Sequence, residues 1–279
     1  MNISVGALYV YPVKSCRGIG LDHAVVGRMG IMYDRQWMIV DQDGMFVAQR
    51  SDAQGVAVAS LCLIQTAMEN ATLRLTAPDM PPLDVPLAGT TGATRAVQVW
   101  NSRTTGVDQG EDAATWVTTF ISRERPGSYR VVRMPDAGTR RAKLGGSMLA
   151  YGDAYPFLIL SSASLADLNS RLDTPLGMDR FRPNIVLEGC TPYEEDQLDS
   201  LSINGIRFDG TTLCLRCAIT TTNQLTAERS KEPLRTLATY RRTADGVVFA
   251  RNYNHTGEGT MRVGDRGGGI VRAAVPTTS

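Results

Sequence analysis

Leu201-Ser202-Ile203-Asn204-Gly205-Ile206-Arg207-Phe208 is the stretch on which the fold class turns. Apolar and polar residues alternate on both arms, which is the period of a strand with one buried face. Asn204-Gly205 lies between the arms, and that pair accepts the positive φ that a type I′ turn requires at both central positions. The segment reads as a β-hairpin. Working outward, Phe157-Leu158-Ile159-Leu160 is an apolar run of strand length. Ser161 or Ser162 is placed to cap a following helix, on which Leu165, Leu168 and Leu172 form one apolar stripe. On the other side, residues 232–240 read as a short helix. Val247-Val248-Phe249 and the segment 261–265 read as closing strands.

The N-terminal part is also rich in strand and turn signals. Residues 4–11 are rich in β-formers and stop at Pro12. Gln36-Trp37-Met38-Ile39-Val40 is an apolar run closed by the turn signal Asp41-Gln42-Asp43-Gly44, and Val97-Gln98-Val99 alternates. The period changes at Glu111. Trp116, Val117, Phe120 and Ile121 follow helical spacing, with Glu111 and Asp112 at the end where the helix dipole favours anions, so a helix is expected over 111–122. Tyr129 to Arg133 reads as a short strand. The stretch 134–153 holds four glycines and the basic residues Arg140, Arg141 and Lys143, and it reads as a long mobile loop. The fold class is α+β with strands dominant: a β-barrel-like module over 1–122, then a second unit over 123–275.

The chain has 279 residues, 43% of them hydrophobic, enough for a core in one large or two modest domains. A formal net charge of +1 and 6% aromatic content give no footprint for nucleic acid. No apolar stretch reaches the roughly 18 residues of a spanning helix. Met1-Asn2-Ile3-Ser4 does not begin a signal peptide. No membrane association and a cytoplasmic location are the expectations. Cysteines at 16, 62, 190, 214 and 217 are odd in number and thinly spread, which argues against a disulfide framework.

The polar motifs leave several chemistries open. Cys214 and Cys217 form a C-x-x-C pair within Leu213-Cys214-Leu215-Arg216-Cys217. Zinc needs two further ligands, and the chain's histidines, His23 and His255, are isolated. A thioredoxin-like pair sits at a helix N-terminus, whereas the β-branched run Ile219-Thr220-Thr221-Thr222 points to a strand. Two structural thiols are a further reading. A single metal thiolate is another, because soft ligands select thiophilic metals and the neighbouring Arg216 favours an anionic sulfur. Lys14-Ser15 beyond the first strand offers a point charge and a hydroxyl donor to a phosphate, or is a solvated turn. Arg35 in Asp34-Arg35-Gln36-Trp37 either anchors an anion or pairs with Asp34, and Arg50 is similar but less specific. Pro183 is expected to hold Arg182 extended, so that Arg182 and Asn184 project on one side. A guanidinium and an amide on one face suit a ligand with phosphate and heterocycle edges, or form a structural corner. No P-loop, dinucleotide fingerprint, H-E-x-x-H or nucleophile elbow competes with these.

Taken together these segments resemble the MOSC family. Tyr11-Pro12-Val13-Lys14-Ser15-Cys16-Arg17-Gly18 and Asp34-Arg35-Gln36-Trp37 are similar to its N-terminal β-barrel domain. Residues 157–172, Phe181-Arg182-Pro183-Asn184, Arg216-Cys217 with Thr220-Thr221, and Glu232-Pro233-Leu234 are similar to the MOSC domain, a β-barrel with peripheral helices. The subgroup resembled is the mitochondrial amidoxime reducing component and its bacterial relatives. Asn223-Gln224-Leu225-Thr226-Ala227 departs from the pattern that follows the threonines in relatives.

The resemblance implies a molybdenum cofactor, Mo-molybdopterin, whose metal takes one protein ligand. By the resemblance that ligand is Cys217, while Cys214 matches a position that binds no metal. Lys14, Ser15 and Arg35 match residues holding phosphate and pterin, Arg182 and Asn184 match pterin contacts, and Arg216 neighbours the metal. Tyr155 stands where relatives often have a serine near the cofactor. The implied activity is a molybdenum-dependent oxidoreductase that reduces N-hydroxylated or related N- or S-oxygenated small molecules. No cysteine follows Cys217, so no iron–sulfur cluster is expected in this chain. Electrons are expected from a separate protein of ferredoxin, flavodoxin or cytochrome b5 type with its reductase. The rival reading is a carrier or insertion protein for molybdenum cofactor or its sulfur, without turnover of its own.

Overall fold

The computed structural model describes residues 2–51, 57–88, 92–138 and 140–272. Thr139 within the stretch 134–153, and the last residues of the unit expected over 123–275, lie outside the described residues.

The Asn-Gly hairpin is present. Leu198–Ile203 pairs antiparallel with Ile206–Leu215, Leu201 facing Phe208 and Ile203 facing Ile206. Asn204 and Gly205 take φ of 48° and 80°, the left-handed pair that the turn requires. The hairpin belongs to an eight-stranded sheet ordered Ile19–Leu21, Ser4–Val10, Ile185–Glu188, Phe157–Ser161, Val248–Thr256, Ile206–Leu215, Leu198–Ile203, Gly267–Arg272. The sheet curls into a half-barrel. Backbone hydrogen bonds tie its ends: Val5 N to Asp265 O at 2.9 Å, Gly264 N to Val5 O at 2.8 Å and Gly267 N to Ile3 O at 2.9 Å. Val5, Leu8, Phe157, Ile159, Ile185, Leu201, Phe208 and Tyr253 fill its concave side.

Phe157–Ser161 runs parallel to Ile185–Glu188, and the helix Ser162–Asn169 begins the crossover between them, as a parallel pair requires. Ser161 caps that helix by accepting from the Ser164 amide at 3.0 Å. Leu165 and Leu168 lie on the helix, whereas Leu172 falls beyond its end and packs against the same cluster from the following turn. A second sheet orders Trp37–Asp41, Tyr129–Arg133, Ser102–Asp108 and Thr94–Val99. The helix Glu111–Ile121 buries Trp116, Val117, Phe120 and Ile121 against it, the face that the spacing predicts.

Four local expectations need correction. Residues after Cys217 form a 3-10 turn, Ala218–Thr221, because Thr220 N and Thr220 Oγ1 both bond back to the Cys217 carbonyl, at 3.1 and 3.0 Å. The β-branched run gives way to those side-chain bonds. The helix expected over 232–240 shortens to Leu234–Leu237. Arg182 is not extended: its φ is 58°, overriding the bias of a following proline. The segment 261–265 is only partly strand, Gly259–Arg262, paired with His23–Gly27.

The stretch 134–153 is also more ordered than expected. It folds into a small hairpin, Arg140–Arg141 with Met148–Leu149. Arg140 is buried and donates Nη1 to the carbonyls of Ala150 and Gly152, at 2.6 and 2.7 Å. A buried guanidinium that binds carbonyls of its own segment holds that segment in one shape. The basic cluster divides accordingly: Arg140 faces inward, and Arg141 and Lys143 are exposed.

Candidate functional site

Lys14 and Ser15 sit in a tight turn after the first strand. The Lys14 amide donates to the Trp37 carbonyl at 2.8 Å, Ser15 has φ of 69°, and the Cys16 amide closes the turn on Val13 O at 3.1 Å. Both residues are buried. The Lys14 ammonium pairs with the Asp153 carboxylate and lies 5.2 Å from the centre of the Phe46 ring. Burial pushes the Lys14 amine below the ordinary lysine range, and Asp153 offsets part of that.

Arg35, with φ of 49°, stands at the head of the strand Trp37–Asp41. Its Nη1 pairs with Asp34 at 2.5 Å and also donates to Asn184 Oδ1 at 3.1 Å, and its Nη2 donates to the Arg182 carbonyl at 3.3 Å. The two alternatives for Arg35 coexist, an Asp34 pair and a place in a larger polar cluster. The Tyr11 ring lies between two guanidinium groups, 4.5 Å from that of Arg35 and 4.3 Å from that of Arg182. A Cβ at Gly18 would overlap that ring, so glycine there is needed for the close approach.

Residues 180–184 join the parts. Arg180 Nε donates to Thr220 O at 2.8 Å, in the turn after Cys217. The Phe181 carbonyl accepts from Arg216 Nη2 at 2.8 Å. Arg182 Nη1 donates to Cys16 O at 2.7 Å, and the Pro183 carbonyl accepts from the Tyr11 hydroxyl at 3.0 Å. Asn184 Oδ1 accepts from Arg35, and its amide proton goes to Leu158 O at 2.8 Å. One short segment therefore carries fastenings to the Cys217 turn on one side and the Lys14 turn on the other. Burial lowers the Arg182 guanidinium below its ordinary range, yet among the described residues it has no ion-pair partner.

Cys217 is partly buried and free, and it precedes the 3-10 turn. Arg216 does not turn to it: Nη1 of Arg216 lies 3.0 Å from the sulfur of Cys214. The sequence argument that the arginine favours a Cys217 thiolate thus meets its contact at the other sulfur. Tyr155 is buried beside Ala142 and Leu149, and its hydroxyl has no partner among the described residues. Arg216 Nε, Arg50 Nε and Thr222 Oγ1 are likewise buried and unpartnered there.

Asp153, Trp100 and Gln49 escape the sequence reading. The Trp100 indole donates to Asp153 Oδ1 at 3.0 Å, and the Arg50 guanidinium stacks 3.8 Å over the Trp100 ring. Trp100 has φ of 52°, uncommon for so bulky a residue, and backbone of that kind clusters at functional sites. Asp153 lies in a glycine-bearing stretch that reads as a loop, which hides it. Gln49 exchanges a hydrogen bond with Gln224 at 3.3 Å and accepts from Arg229 at its carbonyl, pinning the loop after Cys217 to the N-terminal part. Glutamine pairs of this kind leave no periodic signal.

The curled, strand-dominated fold agrees with the MOSC-type protein that the sequence segments resemble, and comparison with known proteins shows that family. Residues 2–124 match the MOSC N-terminal beta barrel domain and residues 147–266 match the MOSC domain. The chain belongs to the MOSC family, beside the amidoxime-reducing components. It is 35% identical to mitochondrial amidoxime-reducing component 1 of Homo sapiens, over 94% of this chain and 81% of that one. It is 33% identical to mitochondrial amidoxime reducing component 2 of Homo sapiens, covering 94% and 82%. The Xenopus laevis component 1 is 31% identical, covering 94% and 80%.

These relatives overturn the cytoplasmic expectation, since each is mitochondrial by name. That expectation rested on composition and on the first residues. Compartment is set by short targeting segments, which the composition of a folded core does not report. Among the described residues no helix is long and apolar enough to cross a membrane.

Proposed function

We propose that the chain binds a molybdenum cofactor and reduces N-hydroxylated or related N- or S-oxygenated small molecules. Residues 1–122, the N-terminal barrel unit in this reading, supply Lys14, Ser15 and Arg35. Residues 123–275 supply Tyr155, Arg182, Asn184, Arg216 and Cys217. The observation that carries the reading is the segment 180–184, whose fastenings reach both the Cys217 turn and the Lys14 turn. The names of the relatives point to the substrate class.

The residues present fit such a group. A molybdopterin carries a phosphate, a pterin edge rich in hydrogen-bonding atoms and a thiophilic metal. The structure offers a buried guanidinium at Arg182 that has a hydrogen bond to Cys16 O but no ion-pair partner among the described residues, and unpartnered groups at Tyr155 Oη and Arg216 Nε. Buried polar groups without partners call for a ligand that supplies them. Lys14 and Ser15 would hold the phosphate, Arg35, Arg182 and Asn184 the pterin, and Tyr155 and Arg216 the rim. Cys217 would ligate the metal.

The cofactor, when bound, supplies the two-electron redox chemistry. The chain's own task is to fix and neutralise it. Arg35 and Arg182 share the Tyr11 ring, and that stacking holds two like charges in one place without freedom to swing apart. Reduction of N–OH to N–H consumes two electrons and two protons and releases the oxygen as water. In this reading the two electrons are brought by a separate electron-transfer protein.

Metal content, pterin fluorescence and turnover of a model amidoxime with an artificial reductant test this. Molybdenum-loaded protein that stays inactive on every N-hydroxy and S-oxide substrate sinks the reductase reading. Rapid release of the cofactor to an apo-enzyme, with no turnover, would favour a carrier.

A further inference from the structure

A band of exposed residues runs beside the candidate site. Val25 and Met32 are 41% and 44% exposed and lie side by side, the Met32 amide donating to the Val25 carbonyl at 2.8 Å. Arg28, in the turn between the strands His23–Gly27 and Gly30–Ile31, reaches the Met148 sulfur at 3.1 Å. Met148 pairs with Arg141 in the small hairpin, whose connecting turn carries Lys143 and Leu144, the last 53% exposed. The strand Val248–Thr256 pins both parts: Asn254 donates to Leu144 O at 2.7 Å, and His255 Nε2 lies 2.8 Å from Gly27 O.

The charge of this band is one-sided. Arg28, Arg141 and Lys143 make no ion pair among the described residues, and the acids at its edge include Glu258, beside His255, and Asp153, which is already engaged by Lys14, Arg50 and Trp100. The whole chain carries only +1, so the band is not a sample of the average surface. It also adjoins the site. The Lys143 amide donates to Ala154 O at 3.1 Å, and Ala154 stands between Asp153, which holds Lys14, and Tyr155.

We infer that this band docks the acidic face of a small electron-transfer protein. The inference rests on the reductase reading, in which two electrons per turnover must enter from outside. Cations steer an acidic partner into register, and exposed Val, Met and Leu supply the dry contact once water leaves. Electron transfer also weakens steeply with distance, so a donor gains by docking at the rim of the site. An anionic bilayer would satisfy the charge alone, but it draws no advantage from that position, and the band is built of strand and hairpin rather than an amphipathic helix.

The test uses the molybdenum-loaded protein, a reduced plant-type [2Fe–2S] ferredoxin as an acidic probe, and methyl viologen as a reductant that needs no docking. The variant is R28E/R141E/K143E. The ferredoxin Kd and the KM for ferredoxin should both rise about tenfold or more in the variant. Wild-type binding should weaken as ionic strength rises. Viologen-driven turnover and molybdenum content should not change. Equal ferredoxin binding by the two proteins overturns the inference, as does a viologen rate that falls in step with the ferredoxin rate. Variant-sensitive binding to anionic phosphatidylserine vesicles, or variant-sensitive self-association, with ferredoxin binding unaffected, overturns it in favour of a membrane or a second copy. Loaded protein that fails even with viologen brings down the reductase reading, and the ferredoxin titration still decides the surface.

Discussion

Arg35 and Asn184 stand 149 positions apart and meet through a 3.1 Å hydrogen bond. Asn184 is almost fully buried, and Oδ1 also accepts from the Leu158 amide at 3.2 Å while Nδ2 donates to Tyr9 O at 3.4 Å. Asn184→Ala strands these partners in the interior. We expect a loss of about 1–3 kcal/mol in urea unfolding, together with a fall in molybdenum bound per chain. A variant with unchanged stability and full metal content would remove Asn184 from the site.

Arg182→Lys keeps the charge and discards the planar fork that both stacks on Tyr11 and reaches Cys16 O at 2.7 Å. The fold should persist. Cofactor release, followed by pterin fluorescence, should quicken by about tenfold, the equivalent of about 1.4 kcal/mol. Release at the wild-type rate would mean that the charge alone suffices.

Tyr155→Phe removes a buried hydroxyl that has no partner among the described residues. The cofactor-free protein should be as stable as wild type or slightly more so, because burying an unsatisfied hydroxyl is unfavourable. The loaded protein should lose that advantage and release cofactor faster. The difference in thermal midpoint between loaded and unloaded forms is the measurement.

Cys217→Ala should abolish metal binding with stability within about 0.5 kcal/mol of wild type. Cys214→Ala should keep the metal, since Arg216 retains its bond to the Phe181 carbonyl at 2.8 Å. Elemental analysis of the two variants separates the sulfurs, and equal metal loss in both would refute the assignment.

Glu195 is fully buried, with Oε2 accepting from the Ser164 hydroxyl at 2.9 Å and Oε1 without a partner among the described residues. Burial raises its carboxyl above the usual range, and the Ser164 bond offsets part of the rise. The folded state thus holds this proton more tightly than the unfolded chain. Its contribution is present at low pH and is lost as pH climbs from the usual glutamate range to the raised value, at no more than about 1.4 kcal/mol per pH unit. Glu195→Gln should be the more stable of the two, relative to its own acid-side value, above that interval. Parallel urea midpoints for the two proteins across the same pH series would contradict this.

The elements with strong period were legible from sequence. The Asn-Gly hairpin and the helix Glu111–Ile121 stand where alternation and helical spacing put them. The run after Cys217 was misread because threonine side chains there bond to nearby backbone, which strand propensity ignores. Arg182 was misread because a tertiary cluster of Tyr11, Arg35 and Cys16 outweighs the local bias before proline. Asp153 and Gln49 were invisible, since each acquires its role only from partners far off in the chain.

The sequence by itself determined the strand-dominated class, the family, and the residue types from which the proposed site is drawn. It did so because period, turn chemistry and motif spacing are local properties. Only the tertiary structure decided which of those residues meet: that Arg35 holds both Asp34 and Asn184, that Arg216 lies against Cys214, and that 180–184 reaches both the Lys14 turn and the Cys217 turn. Contacts of this kind depend on how the curled sheet brings distant strand ends together, and no window of sequence contains that geometry.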